Sequence, residues 1–261
     1  MKKLLALLLC AALCLSLAAC ASNTTTTEPP AASTETAAEA PTETETAEAP
    51  AEGASSDAKQ YVVGICQLVQ HDALDAATNG FMDALEEALP GQVTFDLKNA
   101  SNDIPTCGTI VTGFVASNVD LILANATPAL QAASTATQTI PILGTAVTEY
   151  GVALDIKDFS GTVGGNISGT SDLAPLDQQA DMLLELLPEA KNVGILYCSA
   201  EANSVYQADV VKAALEAKGV NVTVYTFADS NDVATVTQTA CSENDALYIP
   251  TDNTAASNTE A

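Results

Sequence analysis

A set of short motifs occurs twice in this chain, in the same order and at a nearly constant separation. Four pairs carry the repeat: Val63-Gly64-Ile65 with Val193-Gly194-Ile195, Asn102-Asp103 with Asn231-Asp232, Asp120-Leu121-Ile122-Leu123 with Asp245-Ala246-Leu247-Tyr248, and Thr127-Pro128 with Thr251-Asp252. Coincidence rarely keeps the order of four separate motifs, so the chain contains a duplicated structural unit. Any fold proposed for it must contain the same arrangement twice.

Each copy of the repeat alternates apolar runs typical of buried strands with segments of helical periodicity. Residues 127–128, Thr-Pro, are typical of a helix start, with Thr127 as N-cap and Pro128 at the first helical position. The unit is therefore βαβαβ, which favours an α/β fold with a parallel sheet in each of two lobes. The predicted strands are 61–66, 93–97, 119–124, 140–146, 193–197, 220–227 and 245–250, and the predicted helices include 72–89, 104–117 and 204–218.

Composition excludes several classes of function. The net charge is −25, with 8 basic against 33 acidic residues and no arginine, so we expect no nucleic-acid partner. A single histidine argues against a histidine-based catalytic triad or a multi-histidine metal site, and we predict no metal and no cofactor. The glycine-rich segment 161–172 lacks a phosphate-loop motif and is predicted to be a hinge crossover between the lobes.

The first 20 residues have the features of an export signal. Lys2 and Lys3 precede an apolar run shorter than a membrane-spanning helix, and the run ends in Leu17-Ala18-Ala19-Cys20. This ending resembles a bacterial lipobox, which predicts lipidation of Cys20 and anchoring to the outer face of the cytoplasmic membrane. An ordinary signal peptide is the alternative. Residues 21–57, rich in Thr, Glu, Ala and Pro, are predicted to be a disordered acidic tether.

Four cysteines follow the tether, namely Cys66, Cys107, Cys198 and Cys241. Their wide separations match no zinc-ligand spacing. We expect buried free thiols, while a disulfide remains open because the chain is predicted to be exported.

Several longer strings are similar to one subfamily of extracellular solute-binding proteins of ABC importers, the subfamily associated with tryptophan, tyrosine and phenylalanine uptake. The strings include Gln67 to Asp75, Val119 to Ala129, Pro141 to Thr148, Gly164-Gly165-Asn166, Leu186-Leu187-Pro188, Glu201 to Ser204 and Pro250 to Thr254. The resemblance implies a two-lobed periplasmic-binding-protein-like fold. It also implies that the chain is a monomeric, non-enzymatic binding protein that serves an ABC permease.

Two departures from the subfamily pattern stand out. Gln70-His71-Asp72 replaces the usual Glu-His-Pro, which removes a carboxylate beside the lone histidine. Family members also continue beyond the Thr-Asp-Asn-Thr string, so we expect the second lobe to be truncated at its C-terminus. We predict lobe 1 over residues 58–165 and an incomplete lobe 2 over residues 166–261.

A free amino acid presents a carboxylate and an ammonium group, and each needs its own partners. Without arginine, the carboxylate requires backbone N–H groups at a helix start. Thr127 and Pro128 mark such a start in lobe 1, and Glu201, Asn203 and Ser204 mark one in lobe 2. Asp252 is predicted to accept from the ammonium group, with a simple helix cap as the alternative.

Four further residues are predicted to lie near the same cleft. Thr145 ends a strand and Asp172 follows the hinge, and either alternatively bonds loop backbone. Gln67 and His71 end the first strand at the cleft rim, where His71 alternatively serves as a cap.

The leading hypothesis is thus a lipid-anchored protein that binds a small solute, an aromatic amino acid by resemblance, between its lobes. A nucleoside- or sugar-binding protein and a sensory lipoprotein are the alternatives of the same fold. An envelope hydrolase or isomerase is a distant alternative, for which no nucleophile with its base is visible.

Overall fold

The structure is a computed structural model that describes residues 59–260. The predicted signal segment 1–20, the lipidation site Cys20 and the tether 21–57 lie outside the described residues. No helix among residues 59–260 is both long and apolar enough to cross a membrane.

The first lobe contains a five-stranded parallel sheet with the order β2-β1-β3-β4-β5. Its strands are β1 Tyr61–Gln67, β2 Val93–Asn99, β3 Leu121–Asn125, β4 Ile142–Val147 and β5 Ile167–Ser171. Its helices are α1 Asp72–Ala88, α2 Ile104–Ala116, α3 Thr127–Ala136 and the short α4 Tyr150–Ala153.

The second lobe repeats this order with a three-stranded parallel sheet, β7-β6-β8, among the described residues. The strands are β6 Asn192–Cys198, β7 Asn221–Phe227 and β8 Ala246–Tyr248, and the helices are α5 Leu176–Leu186, α6 Ala202–Ala217, α7 Val233–Glu243 and α8 Asn253–Ala256. The duplication is evident, because β7-β6-β8 corresponds to β2-β1-β3 in the first lobe.

Helices cover both faces of each sheet, as expected for parallel sheets whose central strands are mostly apolar. In the first lobe, Phe81 and Leu85 of α1 pack against Val63 and Ile65 on one face. Helices α2 and α3 cover the other face, where Phe114 is fully buried. In the second lobe, α5 and α6 cover one face and α7 covers the other.

The repeated glycine of the Val-Gly-Ile motif has a steric reason in both lobes. A Cβ atom on Gly64 would lie 2.6 Å from Cγ of Phe114, and one on Gly194 would lie 2.6 Å from Cδ2 of Leu247. A side chain at position 64 would clash with Phe114 of α2, which packs over β1, and one at position 194 would clash with Leu247 of the paired strand β8.

The glycine-rich segment 161–172 differs from the hinge crossover that the sequence predicts. Its residues Ile167–Ser171 form β5, which pairs in parallel with β4 at the edge of the first sheet. A lobe boundary after residue 165 therefore separates this strand from its own sheet, and the first lobe extends at least to Ser171.

Candidate functional site

A cavity of about 440 Å³ lies between the two lobes, beyond the carboxyl ends of their central strands. The first lobe contributes the start of α1 and the segments after β4 and β5, and the second lobe contributes the starts of α6 and α8 and part of α7. This is the position at which ligands bind in parallel α/β sheets. The lining residues are His71, Ala73, Leu74, Ala146, Thr148, Asp172, Leu196, Asn203, Val233, Thr237, Ile249, Pro250, Thr251, Asp252, Asn253, Ala255, Ala256, Asn258 and Thr259.

Four of the predicted site residues line this cavity: His71, Asp172, Asn203 and Asp252. The other six, Gln67, Thr127, Pro128, Thr145, Glu201 and Ser204, do not. Most of the wall is apolar, and among the described residues it contains no Phe, Tyr or Trp side chain and no lysine. Its carboxylates belong to Asp172 and Asp252, so the site favours a ligand with a positively charged group.

The polar side chains of the wall meet at one end of the cavity, where β4 and β5 of the first lobe face α6. The Thr148 hydroxyl lies 3.4 Å from that of Thr251, and Nδ2 of Asn203 donates to the Thr251 carbonyl at 2.9 Å. Ser171 donates to the Thr148 carbonyl at 2.7 Å, which places Asp172 beside this group. We call Thr148, Asp172, Asn203 and Thr251 the polar end of the cavity.

Two of these side chains retain unused hydrogen-bonding capacity. The Asp172 carboxylate is exposed and accepts no hydrogen bond from the described residues, although its backbone N–H donates to Val147 at 3.1 Å. Asn203 is buried, and its Oδ1 has no partner among the described residues. A buried acceptor without a partner is costly, so a ligand donor in this region would relieve a real penalty.

Asp252 is buried, and both of its carboxylate oxygens are bonded to the backbone. Oδ1 accepts from the N–H of Ala255 at 2.7 Å and Oδ2 accepts from the N–H of Cys198 at 2.7 Å. The first bond makes Asp252 the N-cap of α8, which is the alternative role that the sequence allowed. Burial, together with the negative charge of Glu201, raises the pKa of Asp252 to about 6.

Glu201 and Ser204 are buried side by side with Asn203 at the start of α6, but they face α8 rather than the cavity. The Glu201 carboxylate accepts from the backbone N–H groups of Asn253 at 3.0 Å and Thr254 at 2.8 Å. The Ser204 hydroxyl accepts from Asn203 at 3.3 Å. Glu201 and Ser204 therefore contact residues that line the cavity without lining it themselves.

Gln67 is also held within the protein. Its Nε2 donates to Oδ1 of Asp75 at 2.6 Å and its Oε1 accepts from the Thr78 hydroxyl at 2.6 Å, so it ties the end of β1 to α1. A buried carboxamide needs such partners, and these bonds direct it away from the cavity.

Helix α3 begins differently from the prediction. Ala126 is its N-cap, with φ 86°, and Thr127 and Pro128 are already helical. Because Ala126 is the only residue between β3 and α3, Thr127 has no room to remain outside the helix. Pro128 instead lines a surface groove between α2 and α3.

Thr145 lies within β4, where its carbonyl accepts from the N–H of Ala126 at 3.0 Å. The cavity is lined by Ala146 and Thr148, which follow Thr145 at the end of β4 and just after it, whereas Thr145 itself is not among the lining residues. The missed residues Thr148, Thr251 and Asn253 were visible in the sequence as polar residues just after strands. Apolar lining residues such as Leu196 and Val233 gave no such signal.

The four cysteines within the described residues are free thiols, as expected, but only three of them are buried, because Cys241 is exposed. Cys66 and Cys198 occupy equivalent ends of β1 and β6 and do not line the cavity. A hydrogen bond with Cys107, together with burial, raises the pKa of the Cys66 thiol, and burial raises that of Cys198. Both thiols are thus suited to packing rather than to reaction. The described residues contain no group of histidine, cysteine and acidic side chains that would hold a metal ion.

Comparison with known proteins decides the family. Residues 62–261 match the family model of the ABC transporter substrate binding protein. The chain belongs to this family. Its two-lobed α/β fold with parallel sheets confirms the fold expected from the sequence.

The descriptions of two relatives name a ligand. The chain is 38% identical over 198 residues to the tyrosine-binding protein of Clostridioides difficile (strain R20291), covering 75% of this chain but only 57% of that relative. It is 34% identical to the ABC domain from Streptococcus pneumonia in complex with L-Trp, with a TM-score of 0.73, covering 77% of this chain and 69% of that one.

A third relative was solved without ligand, in an open form. This is a substrate binding protein with adhesive properties from Clostridium difficile, 39% identical, covering 76% of this chain and 68% of that one, with a TM-score of 0.52. Its sequence identity is higher than that of the L-Trp complex and its coverage is within one percentage point, but its TM-score is lower. The arrangement of the described residues is therefore nearer to the ligand-bound relative than to the open one.

Proposed function

We propose that the chain binds a free amino acid with an apolar, aromatic side chain in the cavity between its lobes. The observation that carries this proposal is the cavity itself, whose wall combines the unpartnered Asp172 carboxylate with an otherwise mostly apolar surface and, among the described residues, no lysine or arginine. The ammonium group would contact Asp172 at the polar end, with Oδ1 of Asn203 as a second acceptor. The backbone N–H of Asn203, in the first turn of α6, is a donor suited to the carboxylate.

The remaining wall would hold the ligand side chain. Leu74, Leu196, Val233 and Ile249 provide apolar contacts, and the volume of about 440 Å³ lies within the usual range for small-molecule sites. The named ligands of the two relatives, tyrosine and L-Trp, support an aromatic amino acid. The lack of Phe, Tyr and Trp among the described lining residues disfavours a nucleoside, whose base usually stacks on such rings.

The role in the cell follows from the family. We infer that the protein captures the solute outside the cytoplasmic membrane and delivers it to an ABC permease without altering it chemically. The lobes would close around the ligand and open to release it.

Replacement of Asp172 tests the ligand assignment. Asp172→Asn should weaken binding of L-tyrosine or L-tryptophan by about tenfold or more, since a hydrogen bond to a charged group contributes about 1.5–3 kcal/mol. Isothermal titration calorimetry measures this change. The matched control is Asp83→Asn, an exposed aspartate of α1 outside the cavity, which should bind like the parent. Unchanged affinity in Asp172→Asn would refute the proposed role of Asp172.

We also propose that Cys20 carries the lipid anchor. Cys20→Ser should release the protein from the membrane fraction or leave the signal uncleaved, because the thiol that would carry the lipid is gone. Fractionation followed by immunoblotting measures this, and a variant that stays membrane-bound and is cleaved normally would contradict the anchor.

A further inference from the structure

Glu201 is a buried carboxylate that does not contact the cavity, yet it is the most heavily bonded acid in the second lobe among the described residues. Its Oε2 accepts from the backbone N–H of Asn253 at 3.0 Å and from Nδ2 of the same residue at 2.6 Å. Its Oε1 accepts from the backbone N–H and the hydroxyl of Thr254, both at 2.8 Å. One side chain thus holds the first turn of α8 from the start of α6.

The same two residues of α8 reach across to the first lobe. Oδ1 of Asn253 lies 3.4 Å from Nε2 of His71, the N-cap of α1. The Thr254 hydroxyl accepts from Nδ2 of Asn102 at 3.0 Å, in the turn before α2. Each residue is therefore bonded to Glu201 on one side and to the other lobe on the opposite side.

The hydrogen-bond donors that Asn253 and Thr254 have available explain why Glu201 determines these contacts. Thr254 has one hydroxyl proton, and its shortest acceptor is Glu201 at 2.8 Å, so the oxygen is left to accept from Asn102. Asn253 donates its amide N–H to Glu201, which turns its carbonyl oxygen toward His71. That oxygen is only an acceptor, so Nε2 of His71 must carry the proton.

We propose that Glu201 is a positioning residue, the anchor of a latch in which Asn253 and Thr254 join α8 to His71 and Asn102 and hold the lobes together. The proposal rests on the proposed function only in taking lobe closure as the binding step. The sequence predicts that Glu201 and His71 contact the ligand; in this proposal they instead hold the two lobes together. The TM-score to the L-Trp complex is higher than the TM-score to the open relative, which is consistent with a latch that is engaged here.

Hydrogen exchange measured by mass spectrometry on the ligand-free full chain tests the latch. In Glu201→Gln, the carboxamide NH₂ would face donors of Asn253 or Thr254, so the latch should loosen. Exchange should then become about fivefold faster or more, the effect of losing roughly one hydrogen bond, in the first-lobe peptides that contain His71 and Asn102. If Glu201 acted only within the second lobe, its replacement would not change the exchange rate of these first-lobe peptides.

The matched control is Glu243→Gln, which makes the same carboxylate-to-carboxamide change at the acceptor of the Tyr225 hydroxyl, within the second lobe. It should leave the first-lobe peptides unchanged. The reciprocal variant, Asn102→Ala, leaves Glu201 and its bonds in place and should accelerate exchange in the peptide that contains α8.

The outcomes separate the two proposals. Faster exchange in the second lobe alone after Glu201→Gln, or no change in α8 after Asn102→Ala, would overturn the latch. Failure of the parent to bind L-tyrosine or L-tryptophan in calorimetry would instead refute the proposed ligand, and the exchange comparison would still decide the latch.

Discussion

At the scale of single residues, Asp252 combines two opposing effects. Its bonds to Ala255 and Cys198 stabilise the ionised carboxylate, while burial and the charge of Glu201 destabilise it more strongly, so its pKa rises from 3.8 to about 6. The native state therefore binds this proton more tightly than the unfolded chain does. Between about pH 4 and pH 6 this residue makes the protein less stable as pH rises, by about 3 kcal/mol in total.

Asp252→Asn should remove this pH dependence. The amide cannot ionise, although it loses one of the two backbone hydrogen bonds because its NH₂ group cannot accept. The free energy of unfolding of the variant relative to the parent should therefore increase between pH 4 and pH 6. Urea denaturation at several pH values measures this difference. Parallel profiles for parent and variant would contradict it, and Asp83→Asn, an exposed aspartate, controls for the loss of one charge.

At the scale of helices and strands, the sequence predicts the strongly patterned segments well. The strand pairs of both copies follow from their apolar runs, and Asp252 does open a helix. Strand β5 could not be predicted in this way, because Ile167–Ser171 has one large apolar residue and is a strand through its pairing with β4. Helix α3 starts one residue earlier than the sequence predicts, since its N-cap Ala126 adopts a backbone conformation unusual for alanine.

At the scale of the whole molecule, the position of the cleft was predictable and many of its contacts were not. Parallel strands place their carboxyl ends together, and Asp172, Asn203 and Asp252, which follow such strands, line the same cavity. The partners of Glu201 lie about 50 residues away in α8, however, and no local pattern indicates which way a buried carboxylate turns. Long-range hydrogen bonding therefore separates residues that contact a ligand from residues that hold the lobes.

The β8 edge of the second sheet, which no strand of the described residues covers, bears on how copies of this chain behave in solution. In the described residues β8 pairs only with β6, and beside it Met182 and Leu186 are 55% and 71% exposed. Such an edge is a template for pairing with another chain, but a net charge of −25 keeps copies apart. Colloidal stability should therefore depend on ionic strength. Sedimentation velocity should show self-association rising as salt increases from 0.01 M to about 1 M, where the screening length falls to about 3 Å. Leu186→Lys should suppress that association, and a salt-independent monomer would show that the edge is inert.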